Sequence, residues 1–131
     1  MKREIKFRGK RAGYDEWACG SLEITHDSKA FIWVPIAPLG IVTQVIPETV
    51  GQYTGEKCKG VDIFEGDILA PDSRCQTERY IVSWNKEHCC FVCIREGSEI
   101  GDDGIQYHLI SNMRLEMLEI VGNIHDSGTP A

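Results

Sequence analysis

No segment of this sequence keeps its apolar residues at the spacing of a helix face for long, so an architecture built on amphipathic helices is excluded. It also lacks a G-x₄-G-K-[ST] loop, a G-x-G-x-x-G turn, a G-x-S-x-G elbow and an H-E-x-x-H pair. Those absences remove the usual phosphate cradle, the dinucleotide turn, the serine nucleophile elbow and the helical zinc-protease site. The longest uncharged stretch, residues 30–47, is interrupted by Pro35, Pro38 and Pro47. Prolines there would break a spanning helix and leave its backbone groups unmet in lipid, so no membrane association is expected. The charged start, Met1 to Lys6, has no apolar run behind it, which a secretion signal would need. The expected location is the cytoplasm, where thiols stay reduced.

What is present is alternation. Residues 4–8 place Ile5 and Phe7 on one side of a strand and Glu4, Lys6 and Arg8 on the other. Residues 17–24 form a second strand, residues 26–29 a polar turn, and residues 30–34 a third strand that Pro35 and Pro38 end. Pro47-Glu48-Thr49 has the proline of a short helical turn. Gln52-Tyr53-Thr54 is a short extended piece closed by Gly55, and Glu65-Gly66-Asp67 a turn before Ile68-Leu69. Residues 79–95 make a hairpin about Asn85-Lys86-Glu87-His88, and residues 118–124 a last strand. Residues 71–73 are expected to turn, residues 97–104 to loop, and residues 126–131 to fray. Residues 111–118 fit a strand, a loop or a helical turn. The fold class is therefore mainly β (all-β): one small antiparallel domain over residues 1–131, as a barrel or a sandwich.

Net positive charge is lacking too. The chain carries −6 overall, yet residues 1–11 hold six cations against Glu4, a net +5, which leaves −11 for the rest. A basic edge strand that complements an acidic body and resists edge pairing explains this. A nucleic-acid or anion contact through Lys6, Arg8, Lys10 and Arg11 is the sharper alternative.

Cys90 and Cys93 have C-x₂-C spacing, with His88 and Cys89 adjacent. On the returning arm of a hairpin those two thiols face opposite ways, so no zinc site or other metal centre is expected, and cysteine acts as a small apolar filler. His88 beside Cys89 does not make a nucleophile–base pair, because neighbours in a strand diverge. Asp62, Glu65 and Asp67 form a carboxylate cluster that acid–base or cation chemistry could use. Turn aspartates bonding to local backbone N–H groups are the simpler reading of the same residues. No catalytic residue and no cofactor is assigned.

Three segments carry a resemblance. Arg3-Glu4-Ile5-Lys6-Phe7-Arg8 opens the chain, Val50-Gly51-Gln52-Tyr53-Thr54-Gly55 leads into Ile63-Phe64-Glu65-Gly66-Asp67-Ile68-Leu69, and Glu119-Ile120-Val121-Gly122-Asn123-Ile124 closes it. In order and spacing the chain resembles the YopX family of small phage and prophage proteins. The connection at residues 56–61 is shorter than in many members, and the Cys89–Cys93 pattern is atypical of them. The resemblance implies a compact, barrel-like β protein in a bacterial host, and a context more than a reaction. Gly55, Gly66, Tyr53 and Phe64 read as turn and core residues of the signature, while Gln52, Thr54, Glu65 and Asp67 are the polar residues a ligand groove would use.

The expected function is a non-enzymatic accessory protein that binds another macromolecule, a protein before a nucleic acid, or self-associates. Phe31, Ile32, Trp33, Val34, Ile36, Leu39 and Ile41 exceed what one small core needs, so part of this stretch is expected at an oligomer interface. Nucleic-acid binding through the basic N-terminal strand is the alternative, and metal-dependent chemistry at Asp62, Glu65, Asp67 or the cysteines a further one.

Overall fold

The computed structural model describes residues 3–36, 38–71, 78–96 and 107–126. Eleven strands are present among them: β1 (Phe7–Lys10), β2 (Trp17–Ile24), β3 (Ala30–Val34), β4 (Ile41–Val45), β5 (Gly51–Cys58), β6 (Val61–Phe64), β7 (Asp67–Pro71), β8 (Tyr80–Asn85), β9 (Cys90–Arg95), β10 (Tyr107–Leu109) and β11 (Leu118–Asn123). They form two antiparallel sheets, in the orders β4-β3-β2-β1-β5-β6 and β10-β9-β8-β7-β11. The only helical pieces described are 3-10 turns at Pro47–Thr49, Ile110–Asn112 and Leu115–Met117. The expected turn at residues 71–73, the expected loop at 97–104 and the expected fraying of 126–131 fall mostly outside the described residues. The chain divides into two compact units, Met1–Tyr53 and Thr54–Ala131.

In the first unit β1 to β4 form a meander. Lys10 faces Trp17 and Phe7 faces Gly20 across β1–β2, Leu22 faces Ile32 across β2–β3, and Trp33 faces Val42 across β3–β4. The core is built of small and branched side chains, Ala18, Ala30, Ile32 and Val45, with Phe7, Leu22, Val34 and Val50 against it. Gly20 is dictated by a close approach: a Cβ there would lie 2.0 Å from the Trp33 carbonyl oxygen. Beyond β1 the chain meets the end of β4. Arg11 bridges Val45, the Ala12 amide donates to the Gln44 carbonyl at 2.9 Å, and the Ile46 amide donates to the Lys10 carbonyl at 2.8 Å. The buried Thr49 hydroxyl holds the same corner, accepting from the Lys10 amide at 2.9 Å and donating to the Ile46 carbonyl at 2.6 Å.

Two expectations are corrected here, and one strand that the sequence reading did not single out is added. The first strand extends through Gly9 and Lys10, later than residues 4–8, and Ile5 is exposed. Residues 41–45 form a strand, because the prolines that end β3 redirect the chain without ending the sheet. Gly55 does not close the extended piece. It lies inside β5 at φ +90°, where the Thr54 hydroxyl accepts from the Glu56 amide at 3.2 Å and donates to the Ile63 carbonyl at 2.8 Å.

In the second unit β5 and β6 join through Lys59 (φ +50°) and Gly60 (φ +81°), a two-residue turn whose twist suits adjoining strands. What reads as a polar loop at residues 56–61 is therefore hairpin. The β8–β9 hairpin forms as expected, with Tyr80 facing Arg95 and Asn85 facing Cys90, but its turn falls one residue later than expected, at residues 86–89, with Cys89 in the turn at φ +52°. Residues 111–118, where the sequence left strand, loop and turn open, hold two 3-10 turns and the start of β11. The core gathers Cys58, Ile63, Leu69, Val82, Cys93, Ile110 and Leu118. Four consecutive residues of β7, Asp67 to Ala70, are buried, so both faces of that strand are covered.

Candidate functional site

The expected binding residues fall into separate neighbourhoods. Lys6, Arg8, Lys10, Arg11 and Gln52 belong to the first unit; Thr54, Glu65 and Asp67 belong to the second. In the first, alternation along β1 sends Lys6, Arg8 and Lys10 to one side, and each cation meets an aromatic ring. The Lys6 ammonium lies 4.7 Å from the Tyr53 ring centre. The Arg8 guanidinium and the Lys10 ammonium lie 4.3 and 5.5 Å from that of Trp17. Arg11 stacks on Tyr14 at 4.4 Å.

Carboxylates complete the pairing. Lys6 pairs with Glu4 at 2.5 Å, Lys10 with Asp15 at 2.7 Å and Arg11 with Glu16 at 2.8 Å, and Arg11 Nε donates to the Thr43 hydroxyl at 3.2 Å. The Lys10 side chain is buried, which the Asp15 carboxylate and the face of Trp17 make tolerable. Gln52 sits on β5 opposite Phe7 of β1. The basic segment is thus tied by internal contacts, and the acidic partners of Lys10 and Arg11 directly precede β2. Asp15 and Glu16 directly before Trp17 were the sequence signal for this pairing.

Beside these residues runs a groove of ≈340 Å³ lined by Trp17, Cys19, Val34, Ile36 and Ile41, with Arg11 and Glu16 among its polar residues. On the opposite face of the β3–β4 hairpin Trp33 and Val42 are exposed, and Leu39 is exposed in the connection between the two strands.

In the second unit the β6–β7 turn is held by Asp67. One carboxylate oxygen accepts from the Phe64 amide at 2.8 Å, and the other accepts from Asn123 Nδ2 at 2.9 Å. Gly66, at φ +87°, donates its amide to the Val82 carbonyl at 2.8 Å and accepts from the Ile124 amide at 2.9 Å. A Cβ on Gly66 would lie 3.2 Å from Asn123 Nδ2, so the turn and the end of β11 fit closely. Asn123 Oδ1 in turn accepts from the His125 amide at 2.9 Å, and Asp126 accepts from the Asn123 amide at 2.9 Å. Two polar stretches far apart in sequence therefore meet at one buried carboxylate. A family model described as YopX protein matches residues 6–129, a span that includes both stretches.

The chain belongs to the YopX family. No curated protein matches it. The signature residues of this YopX chain have local structural duties. Asp67 is buried and bonded to backbone and to Asn123, Thr54 supports the kink at Gly55, and Glu65 occupies the β6–β7 turn. Asp62 lies 3.4 Å from the Lys57 ammonium. Asn123 is the residue that sequence reasoning missed, since its role depends on a partner 56 positions away. Its only signal was its place in the closing segment of the resemblance.

Cysteines and histidines stay dispersed. Cys93 is fully buried, and burial pushes its thiol up to about 12, while Cys90 is half-buried on the opposite face of β9. Cys58 is also raised by burial, and its thiol donates to the Leu118 carbonyl at 2.7 Å. His88 bonds through its amide to Asn85. Cys75 lies outside the described residues. Among the described residues no group of three or more His, Cys, Asp or Glu converges as a metal site would require. A second groove, ≈450 Å³, has Glu56, Lys57, Lys59 and Glu116 around Met113 and Leu115. No helix among the described residues is long and apolar enough to cross a membrane.

Proposed function

We propose that this YopX chain is a non-enzymatic accessory protein of phage or prophage type that works by binding a protein partner, a second copy included, through the apolar surface of its first unit. One observation carries the reading: the uncharged stretch of residues 30–47 leaves Trp33, Leu39 and Val42 exposed together on the β3–β4 hairpin. Isolated exposed apolar residues need no explanation, but a contiguous set on a charge-free hairpin does. The pairing of Lys6, Arg8, Lys10 and Arg11 with rings and carboxylates favours a protein over a nucleic acid. The uptake of Thr54 and Asp67 by backbone and side-chain bonds favours a structural signature over a catalytic one. The return of β4 onto Arg11 supports a barrel-like reading of the first unit. A bacterial host cytoplasm is the matching location.

Val42→Lys tests the surface, because Val42 is exposed and the lysine can reach solvent. Light scattering of the purified protein and affinity capture from a lysogenic host are compared for wild type and variant. The expected result is an association, with itself or with one host or phage protein, that the substitution abolishes. Associations that survive Val42→Lys unchanged overturn the assignment.

A further inference from the structure

The second unit carries the protein's acidity. Residues 54–131 hold seven Lys and Arg against fourteen Asp and Glu, a net −7, while residues 1–53 carry +1. The same unit holds the ≈450 Å³ groove, within the ~300–1,000 Å³ of ordinary ligand sites. Its floor is apolar. Ile110 and Met113 stand three apart, the spacing at which side chains of a 3-10 turn lie over one another, and Leu115 opens the next such turn. Ile110 is buried in the core of the unit, and Met113 and Leu115 pack against that core half-buried. The buried Cys58 thiol lies 2.7 Å from the Leu118 carbonyl oxygen and 3.5 Å from that of Leu115, so β5 is fastened to the second turn.

The charges on the rim are not equivalent. Lys57 is answered across the β5–β6 hairpin by Asp62 at 3.4 Å. Lys59 sits in the turn of that hairpin. Glu56, half-buried on β5, and Glu116, exposed on the second 3-10 turn, bring carboxylates to the groove from two separate elements. Among the described residues neither of these carboxylates is held in an ion pair.

We propose that this groove binds a basic peptide segment of a partner protein: an apolar residue seats on Ile110, Met113 and Leu115, and the lysines or arginines flanking it meet Glu56 and Glu116. The proposal is independent of the apolar hairpin of the first unit. Charge selects the occupant, because a net −7 draws cations and repels nucleic acids and acidic segments. Two carboxylates from separate elements share one apolar floor. They suit a chain with a cation on each side of an apolar residue, whereas a single small cation would satisfy only one of them. The flexible Met113 thioether adapts to different apolar residues, so the selection is for a class of segment and not for one side chain.

The test is an NMR titration of the full-length protein, methyl-labelled at methionine, with the blocked peptide Gly-Lys-Leu-Lys-Gly as probe. The Met113 methyl resonance is expected to shift, and added salt to weaken the binding, as for exposed charge pairs. Glu116 is exposed, so Glu116→Lys keeps the fold, which a melting curve checks. That variant is expected to bind the probe about tenfold more weakly, the size of a lost and reversed rim charge. Lys59→Gln removes the opposing charge and is expected to tighten binding; a weakening would overturn the proposal. Three control probes decide the chemistry. Gly-Glu-Leu-Glu-Gly is expected not to bind, Gly-Lys-Ser-Lys-Gly to bind at least about tenfold more weakly, and pentylamine, a lone small cation, to bind more weakly than the lysine–leucine peptide. No shift of Met113 with that peptide overturns the site. Binding indifferent to Glu116→Lys, or equal for the glutamate peptide, overturns the charge selection. Equal binding of the serine peptide removes the apolar seat, and pentylamine bound as tightly as the peptide reassigns the groove to a small cation; either outcome sinks the proposal.

Discussion

Asp67 shows how much one buried carboxylate can organise. Its two oxygens take the Phe64 amide and the Asn123 side chain, so it closes a local turn and fastens that turn to the end of the chain's last strand. Replacing it with alanine strands two donors in a buried setting, and each uncompensated donor costs about 1–3 kcal/mol. Asp67→Ala is therefore expected to lower the denaturation midpoint by an amount equal to several kcal/mol. Asn123→Ala, which removes one of the two bonds, is expected to cost less. Chemical denaturation of both variants and the double variant checks this. If the two contributions simply add, the Asp67–Asn123 bond is not the link described. The turn role of Asp67 was legible in Glu65-Gly66-Asp67, since short acceptors after glycine bond nearby amides. Its second partner was not, because nothing local in a sequence encodes a contact 56 residues away.

At the scale of the element, alternation reported the strands faithfully where neighbours are local. The hairpin of β8 and β9 was legible because its turn lies between two alternating runs, and β3 because its residues are aromatic and branched. β4 was not singled out, because the prolines before it mark the end of β3 and nothing local shows that the chain returns to the same sheet. Gly55 misled in the other direction: a glycine that reads as a terminator sits within β5, kinked and supported by Thr54. Gly20 is tightly constrained by its neighbouring strand. An added methyl would meet backbone, the Trp33 carbonyl at 2.0 Å, which cannot move without parting β2 from β3. Gly20→Ala is expected to cost about 3 kcal/mol, the upper end for overpacking, and to raise amide hydrogen exchange in β2 and β3. Unchanged exchange in those two strands would refute the close approach.

For the whole molecule the question is what the charge asymmetry does. Of the cations at the start of the chain, Lys6, Lys10 and Arg11 pair with Glu4, Asp15 and Glu16, and Lys6, Arg8, Lys10 and Arg11 meet three aromatic rings. Charge reversal at Lys6 and Arg8 is therefore expected to act on stability, about 0.5–1 kcal/mol for each lost cation–ring contact. Labelled single- and double-stranded DNA is expected to show no shift with wild type at low salt. A salt-sensitive shift that Lys6→Glu and Arg8→Glu abolish would reverse this and restore the basic strand as a binding site.

The sequence by itself determined the mainly β class, the antiparallel hairpins and membership of the YopX family, because alternation, turn chemistry and signature order are properties of neighbouring residues. Only the tertiary structure decided that the basic strand meets aromatic and acidic partners within the first unit, that Asp67 reaches Asn123, and that Trp33, Leu39 and Val42 stay exposed. Those outcomes depend on which strands pair and which faces are covered. Long-range packing sets both, and the local pattern of a charge-free, apolar stretch is the same whether it is buried or left in water.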